Sequence, residues 1–277
     1  MSRIFLITIL FLSLICTGPY LIPVWANGNI SPQHYVLEKS RSHDVVFLGT
    51  THRQPAILDL ISNLLPLLTR AGVTHLGLEI GSDQQDLIDA HILGDGDPLE
   101  ISLADAIECP QYRQLLQVLY NLPKHQRPMV VALDLPAHLY GKGIDRNRWM
   151  AMKLDHIVRG QKEAKILAVM GSLHVLRRLE WRPSVRHPGP SIRTLLTRHQ
   201  PALSMFSIVN IVGSPDTACD FARRLGSWSS GLALDVDQRF KGWKLGLTQY
   251  AAIAPAEPWT LIDGIIVHGV PSGAQDR

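Results

Sequence analysis

VVFLGTTH, residues 45–52, is a short apolar, β-branched run that ends on a glycine and, three residues later, a histidine. The same pattern returns in ILAVMGSLH, residues 166–174. Each run is long enough for a buried strand and too short for a helix. What lies between them alternates. The helical spacing of Ile57, Leu60, Ile61, Leu64, Leu65 and Leu68 predicts a helix over Pro55 to Ala71, and Gly72 is placed to stop it. Val73 to Ile80 reads as a second strand, Met129 to Leu135 as a third and Ile166 to Met170 as a fourth. Leu203 to Val212 and Leu261 to Val267 follow as further strands. Strands alternating with amphipathic helices predict an α/β fold: a mostly parallel sheet with helices on both faces.

The remaining helices are expected at Leu103 to Leu122, with an interruption near Pro110, at Arg146 to Arg159, at Ser191 to Arg198 and at Thr217 to Leu225. Gly81 to Pro98 reads as a short helix plus a loop. Trp228 to Pro258 carries no clear period and reads as an insertion or a small antiparallel addition.

Of the 277 residues 46 % are hydrophobic and 18 % charged, the opposite of the balance in a disordered chain. The net charge of +3 is spread out, with no dense Lys/Arg block, which argues against nucleic acid as a partner. The N-terminus has its own pattern. Arg3 precedes the apolar run Ile4 to Ile15, and Thr17-Gly18-Pro19 breaks it. That is the form of a secretory signal, with Val24-Trp25-Ala26 placing cleavage after Ala26. A retained membrane anchor and a lipid on Cys16 are the rival readings, and only these would tie the chain to a membrane. The expected organisation is therefore a signal peptide over 1–26 and one α/β domain over 27–277, exported to the periplasm or cell envelope. Cys109 and Cys219 would be the mature cysteines, free to form a disulfide there or to stay separate thiols.

Ligands of an open parallel sheet bind beyond the carboxyl ends of its strands. The residues there are His52, Glu79, Asp134 and His174. Two imidazoles and a carboxylate are suitable donors for a divalent metal such as Mn, Co or Zn, and a metal-bound water is a nucleophile at neutral pH. Without metal the same groups could serve as general base and acid. RNRWM, residues 146–150, opens a helix with a positive charge that opposes the helix dipole. Arg146 is therefore expected to pair with Glu79 or with an anionic substrate. Asn147 could cap that helix or donate to a ligand, Asp134 could support the site from behind, and His268 follows the last strand. His138 to Gly143 would form a loop over the site.

FLGTTH, LGLEI, RNRWM and VMGSLH, in that order, resemble the superfamily that joins ChaN-like haem-uptake proteins, Tiki/TraB proteins and erythromycin esterases. The likeness covers roughly Val45 to Val175, with a weaker echo in IDGIIVHG. It implies that His52, Glu79, Arg146 and His174 form the functional set, with Asn147 beside them, and that His52, Glu79 and His174 bind metal as in the Tiki-type members. Thr50 stands where the ChaN-like and esterase branches carry a glutamate, as in the Tiki/TraB branch. Two functions follow as expectations. One is a metal-dependent hydrolase acting on a peptide or a small-molecule ester. The other is a non-catalytic haem or metal binder, with Tyr140 or a histidine on the iron.

Overall fold

The computed structural model describes residues 30–94, 96–179, 189–212, 220–225, 231–245 and 256–269. The expected signal segment, Cys16 and Cys219 lie outside them, as does the start of the helix expected at Thr217.

Seven strands form one sheet in the order β3-β2-β4-β1-β5-β7-β6. They are β1 (Val45–Thr50), β2 (His75–Gly81), β3 (Met129–Asp134), β4 (Ile166–Gly171), β5 (Met205–Val212), β6 (Leu232–Asp235) and β7 (Gly264–His268). Every pairing is parallel except β6 on β7. The sheet is therefore the mostly parallel one expected, and Trp228 to Pro258 supplies its antiparallel border strand.

The helices are α1 (Pro32–Ser42), α2 (Pro55–Leu68), α3 (Gln85–Leu93), α4 (Pro110–Asn121), α5 (Arg146–Gly160), α6 (Ile192–His199), α7 (Asp220–Leu225) and α8 (Pro258–Leu261). Strand side chains alternate between two cores. Val46 and Leu48 of β1 pack with Ile57, Ile61 and Leu64 of α2 and Leu115 of α4. Val45 and Phe47 pack with Met150 and Leu154 of α5 and Ile192 and Leu196 of α6. So α2, which follows β1, covers one face, while α6, which follows β4, covers the other. Adjacent strands that send their connections to opposite faces open a crevice at their carboxyl ends. Here that crevice lies between β1 and β4, where both G-x-x-H segments begin.

Two local expectations are corrected. The helix expected from Leu103 begins at Pro110, because proline is favoured at the first helical position and cannot continue a preceding turn. Helix α1 was not anticipated, although Ser31 caps it through His34 N–H and Pro32 opens it. Strand β3 is a border of the sheet, and its outer edge is met by a side chain. Gln85 donates from Nε2 to Val130 O at 2.9 Å, and its Oε1 accepts from Ala132 N–H at 2.8 Å.

Candidate active site at the β1–β4 crevice

Each of the two glycines makes room for the opposite motif. A Cβ on Gly49 would stand 2.7 Å from Val175 Cγ2 and 3.1 Å from Ser172 Cα. A Cβ on Gly171 would stand 3.1 Å from both Cε1 and Nε2 of His52 and 3.4 Å from Glu79 Oε2. Neither glycine has a positive φ. They are required for close approach. The two turns are also bonded together, since Ser172 donates to Thr50 O from both its N–H and its hydroxyl, each at 2.9 Å. His174 N–H closes its own turn on Gly171 O at 2.9 Å, which brings the imidazole back over the strand ends. Arg53, just after His52, is held at φ 61° while its guanidinium donates to Asp105 O.

Glu79, at the end of β2, is the hub. It is 7 % exposed. Its Oε1 accepts from Arg146 Nη2 at 2.6 Å and lies 3.5 Å from His174 Nε2. Its Oε2 accepts from Gly171 N–H. Burial alone would push this carboxyl up, but the bond and charge of His174, the charge of Arg146 and the Gly171 amide prevail and hold it down at about 2. It is ionised throughout the neutral range.

Asp134 is a second buried carboxylate, and it takes a larger part than the supporting one expected. It accepts from Arg146 Nε at 2.9 Å and from Nη2 at 2.6 Å, from the Tyr140 hydroxyl, and from Leu135 N–H at 2.8 Å. Arg146 thus bridges two carboxylates, and its Nη1 makes no hydrogen bond among the described residues. The α5 N-terminus tolerates this cation because Asp145 caps it, accepting from Asn147 and Arg148 N–H. Asn147 has a different partner from those expected. Its Nδ2 donates to Pro190 O at 3.2 Å, which turns Oδ1 toward His174 Nδ1 at 2.6 Å. An amide oxygen only accepts, so Nδ1 carries a proton, and Nε2, facing Glu79, donates to it when the ring is doubly protonated.

All five expected residues therefore gather: His52, Glu79, Arg146, Asn147 and His174. His268 is linked to them from behind. Its Nε2 meets Asn210 Oδ1 at 2.9 Å, and Asn210 Nδ2 donates to Gly49 O at 2.9 Å. Asn210 was missed, though an amide inside the apolar run MFSIVNIV is itself a signal of a buried partner. The loop at His138 to Gly143 lies over the site as expected, with Tyr140 5.5 Å from the Arg146 guanidinium.

No metal site is shown at these residues. Among the described residues no three His, Cys, Asp or Glu side chains are grouped to hold a metal ion. The chemistry agrees. Both oxygens of Glu79 are engaged, one by a guanidinium, and a dication in contact with Glu79 would lie against that positive charge. Burial, then the hydrogen bond to Asp134, pushes the phenol of Tyr140 up.

No family model matches the chain, and no curated relative does. Solved structures do. An erythromycin esterase in its open conformation aligns over 88 % of this chain and 95 % of its own, with a TM-score of 0.56 and 11 % identity. A Bacillus cereus protein aligns over 84 % and 90 %, with a TM-score of 0.56 and 12 % identity. The chain shares the fold of these proteins. A Campylobacter jejuni ChaN structure, described with cofacial haem, covers 89 % of this chain and 95 % of its own at a TM-score of 0.48 and 12 % identity. The fold implied by the resemblance is thus the fold found, and at these identities the fold is what is shared.

A larger cavity lies elsewhere. It measures about 740 Å³ and runs along β3 between α3 and α5, past His75, Met129 and Lys153. It lacks the carboxylate–guanidinium cluster. The cavity under His52 is only about 20 Å³ and is walled by Thr50, Glu79 and Tyr112.

Proposed function

We propose that this protein is an exported hydrolase that uses His52 as general base, without a metal, on a small-molecule ester or a peptide. The observation that carries this is the placement of His52. Its ring lies on Gly171 beside an ionised Glu79, at a solvent-facing position, with no hydrogen-bond partner of its own among the described residues. A base kept free of structural bonds, next to a fixed charge cluster, is the arrangement that acid–base catalysis asks for.

The roles follow from the geometry. His52 takes a proton from a water whose oxygen attacks the carbonyl carbon of the substrate. The C–O or C–N bond then breaks, and the proton returns to the leaving group. Arg146, held in place by Glu79 and Asp134, presents Nη1 to negative charge on the substrate or on the tetrahedral intermediate. His174, oriented by Asn147, lies on the same rim. The shared fold of the erythromycin esterase supports an ester as the first substrate class to try. Export rests on the charged, apolar and broken pattern of residues 1–26.

The test is a panel of esters and peptides incubated with the purified 27–277 chain in a chelator. Turnover that survives chelation and is lost in His52→Ala is the expected result. Turnover unchanged in His52→Ala, or turnover abolished by the chelator and restored by Mn, Co or Zn, overturns the proposal. A stoichiometric Soret band without turnover on the panel overturns it in favour of a haem binder.

A further inference from the structure

Tyr112 stands in the first turn of α4 and is 5 % exposed. Its hydroxyl has no hydrogen-bond partner among the described residues. A buried phenol nearly always finds one, and leaving it unmade costs roughly 1–3 kcal/mol. The phenol also lies within electrostatic reach of Glu79. It lines the small cavity under His52, whose polar walls also include Thr50, Thr51, Arg53 and Glu79, with Ile57, Leu58 and Ile107 among the apolar ones. The Thr50 hydroxyl is only weakly engaged, 3.4 Å from Met170 O.

Size and polarity together decide what fits. The cavity measures about 20 Å³. One water needs about 10–15 Å³ by that measure and two to four polar partners. Tyr112, Thr50, Glu79 and His52 supply four. The space is of the order that one water needs.

We infer that this cavity holds one ordered water, shared by Tyr112, Thr50, Glu79 and His52, and that Tyr112 is the positioning residue that fixes it beside the base. This rests on the role of His52 proposed above. It adds the identity of the reacting water and a residue on a helix remote in sequence from both G-x-x-H segments. His52 would draw the proton from this water, and the oxygen would move outward to the substrate. Water from bulk would then refill the cavity between turnovers.

A high-resolution crystal structure of the 27–277 chain tests the site without any substrate. The expected result is one full-occupancy water within hydrogen-bond distance of the Tyr112 hydroxyl. A cavity without density there overturns the inference, whatever the enzyme does. If that water is present and no member of the substrate panel is turned over, the water site stands and the hydrolase proposal falls. Kinetics test the positioning role. Tyr112→Phe is expected to lower kcat about tenfold with KM unchanged, the size of one lost hydrogen bond. A folded Tyr112→Phe enzyme with unaltered kcat overturns that role. Should this variant not fold, Thr50→Val removes another partner of the same water, and unchanged kcat there counts equally against it.

Discussion

The imidazole of His52 rests against the backbone of Gly171, 3.1 Å from the point where a side chain on that glycine would begin. The base from one G-x-x-H segment is thus seated on the glycine of the other. Gly171→Ala is expected to displace the ring and lower activity at least tenfold while the protein still folds. His52 is exposed and can move aside. Turnover and a melting curve on the same sample separate the two effects.

Gly49→Ala should behave differently. Its methyl would meet Val175 and the Ser172 backbone, both inside the core between β1 and β4. Overpacking of this kind costs about 1–3 kcal/mol. Denaturant unfolding is expected to show a clear loss of stability, larger than for Gly171→Ala.

Removing Arg146 leaves Glu79 and Asp134 buried without their shared cation. Arg146→Ala is expected to destabilise by on the order of 2–3 kcal/mol, less than for a fully enclosed pair because the arginine is 34 % exposed. Arg146→Lys keeps the charge but loses the fork that spans both carboxylates, so it should recover stability better than activity. Unfolding curves and turnover measured on both variants check this.

Asn147 fixes the proton of His174 on Nδ1. Asn147→Ala frees the ring to rotate and exchange tautomers. Activity is expected to fall while stability changes by about 1 kcal/mol. Imidazole nitrogen shifts in NMR spectra should show Nδ1–H in the parent and a mixture in the variant.

His268 and Glu79 both shape the acid side of the stability profile, and their signs agree. Burial holds His268 down at about 4, against its ordinary value of 6.5. The unfolded chain therefore binds the extra proton first, and stability is lost as pH falls from 6.5 through 4. Glu79 is held at about 2 against an ordinary 4.5, so its contribution is full above 4.5 and is lost as pH falls toward 2. Stability measured against pH should decline in both windows. His268→Gln is expected to shrink the decline in the upper window, to which buried His75 also contributes, and to leave the lower one intact.

Much of the fold was legible because its signals are local. The runs VVFLGT and ILAVMG are apolar and β-branched enough to be strands on their own, and Gly72 marks the end of α2 and its last short turn. The pairing of Glu79 with Arg146 was legible too, since an acid ending an apolar strand needs a cation. What escaped depends on contacts distant in sequence. Nothing near Tyr112 says that its hydroxyl lies by Glu79, and the partner of Asn210 is 58 residues away. The crowding of the expected metal donors escaped for the same reason. Residue types suggested a donor set, but Arg146 had already claimed Glu79. The two glycines stood out in the sequence but their purpose did not, because a close approach between two strand ends cannot be read from either one.

Gln85 carries a consequence for the molecule as a whole. By offering an amide donor and acceptor to Val130 and Ala132, one side chain imitates the rung that a neighbouring strand would supply. An unguarded border invites a second copy to dock and lengthen the sheet, the first step toward aggregates. Here the invitation is withdrawn at the cost of a single residue, and solubility at high concentration becomes a property of α3 as much as of the surface charge.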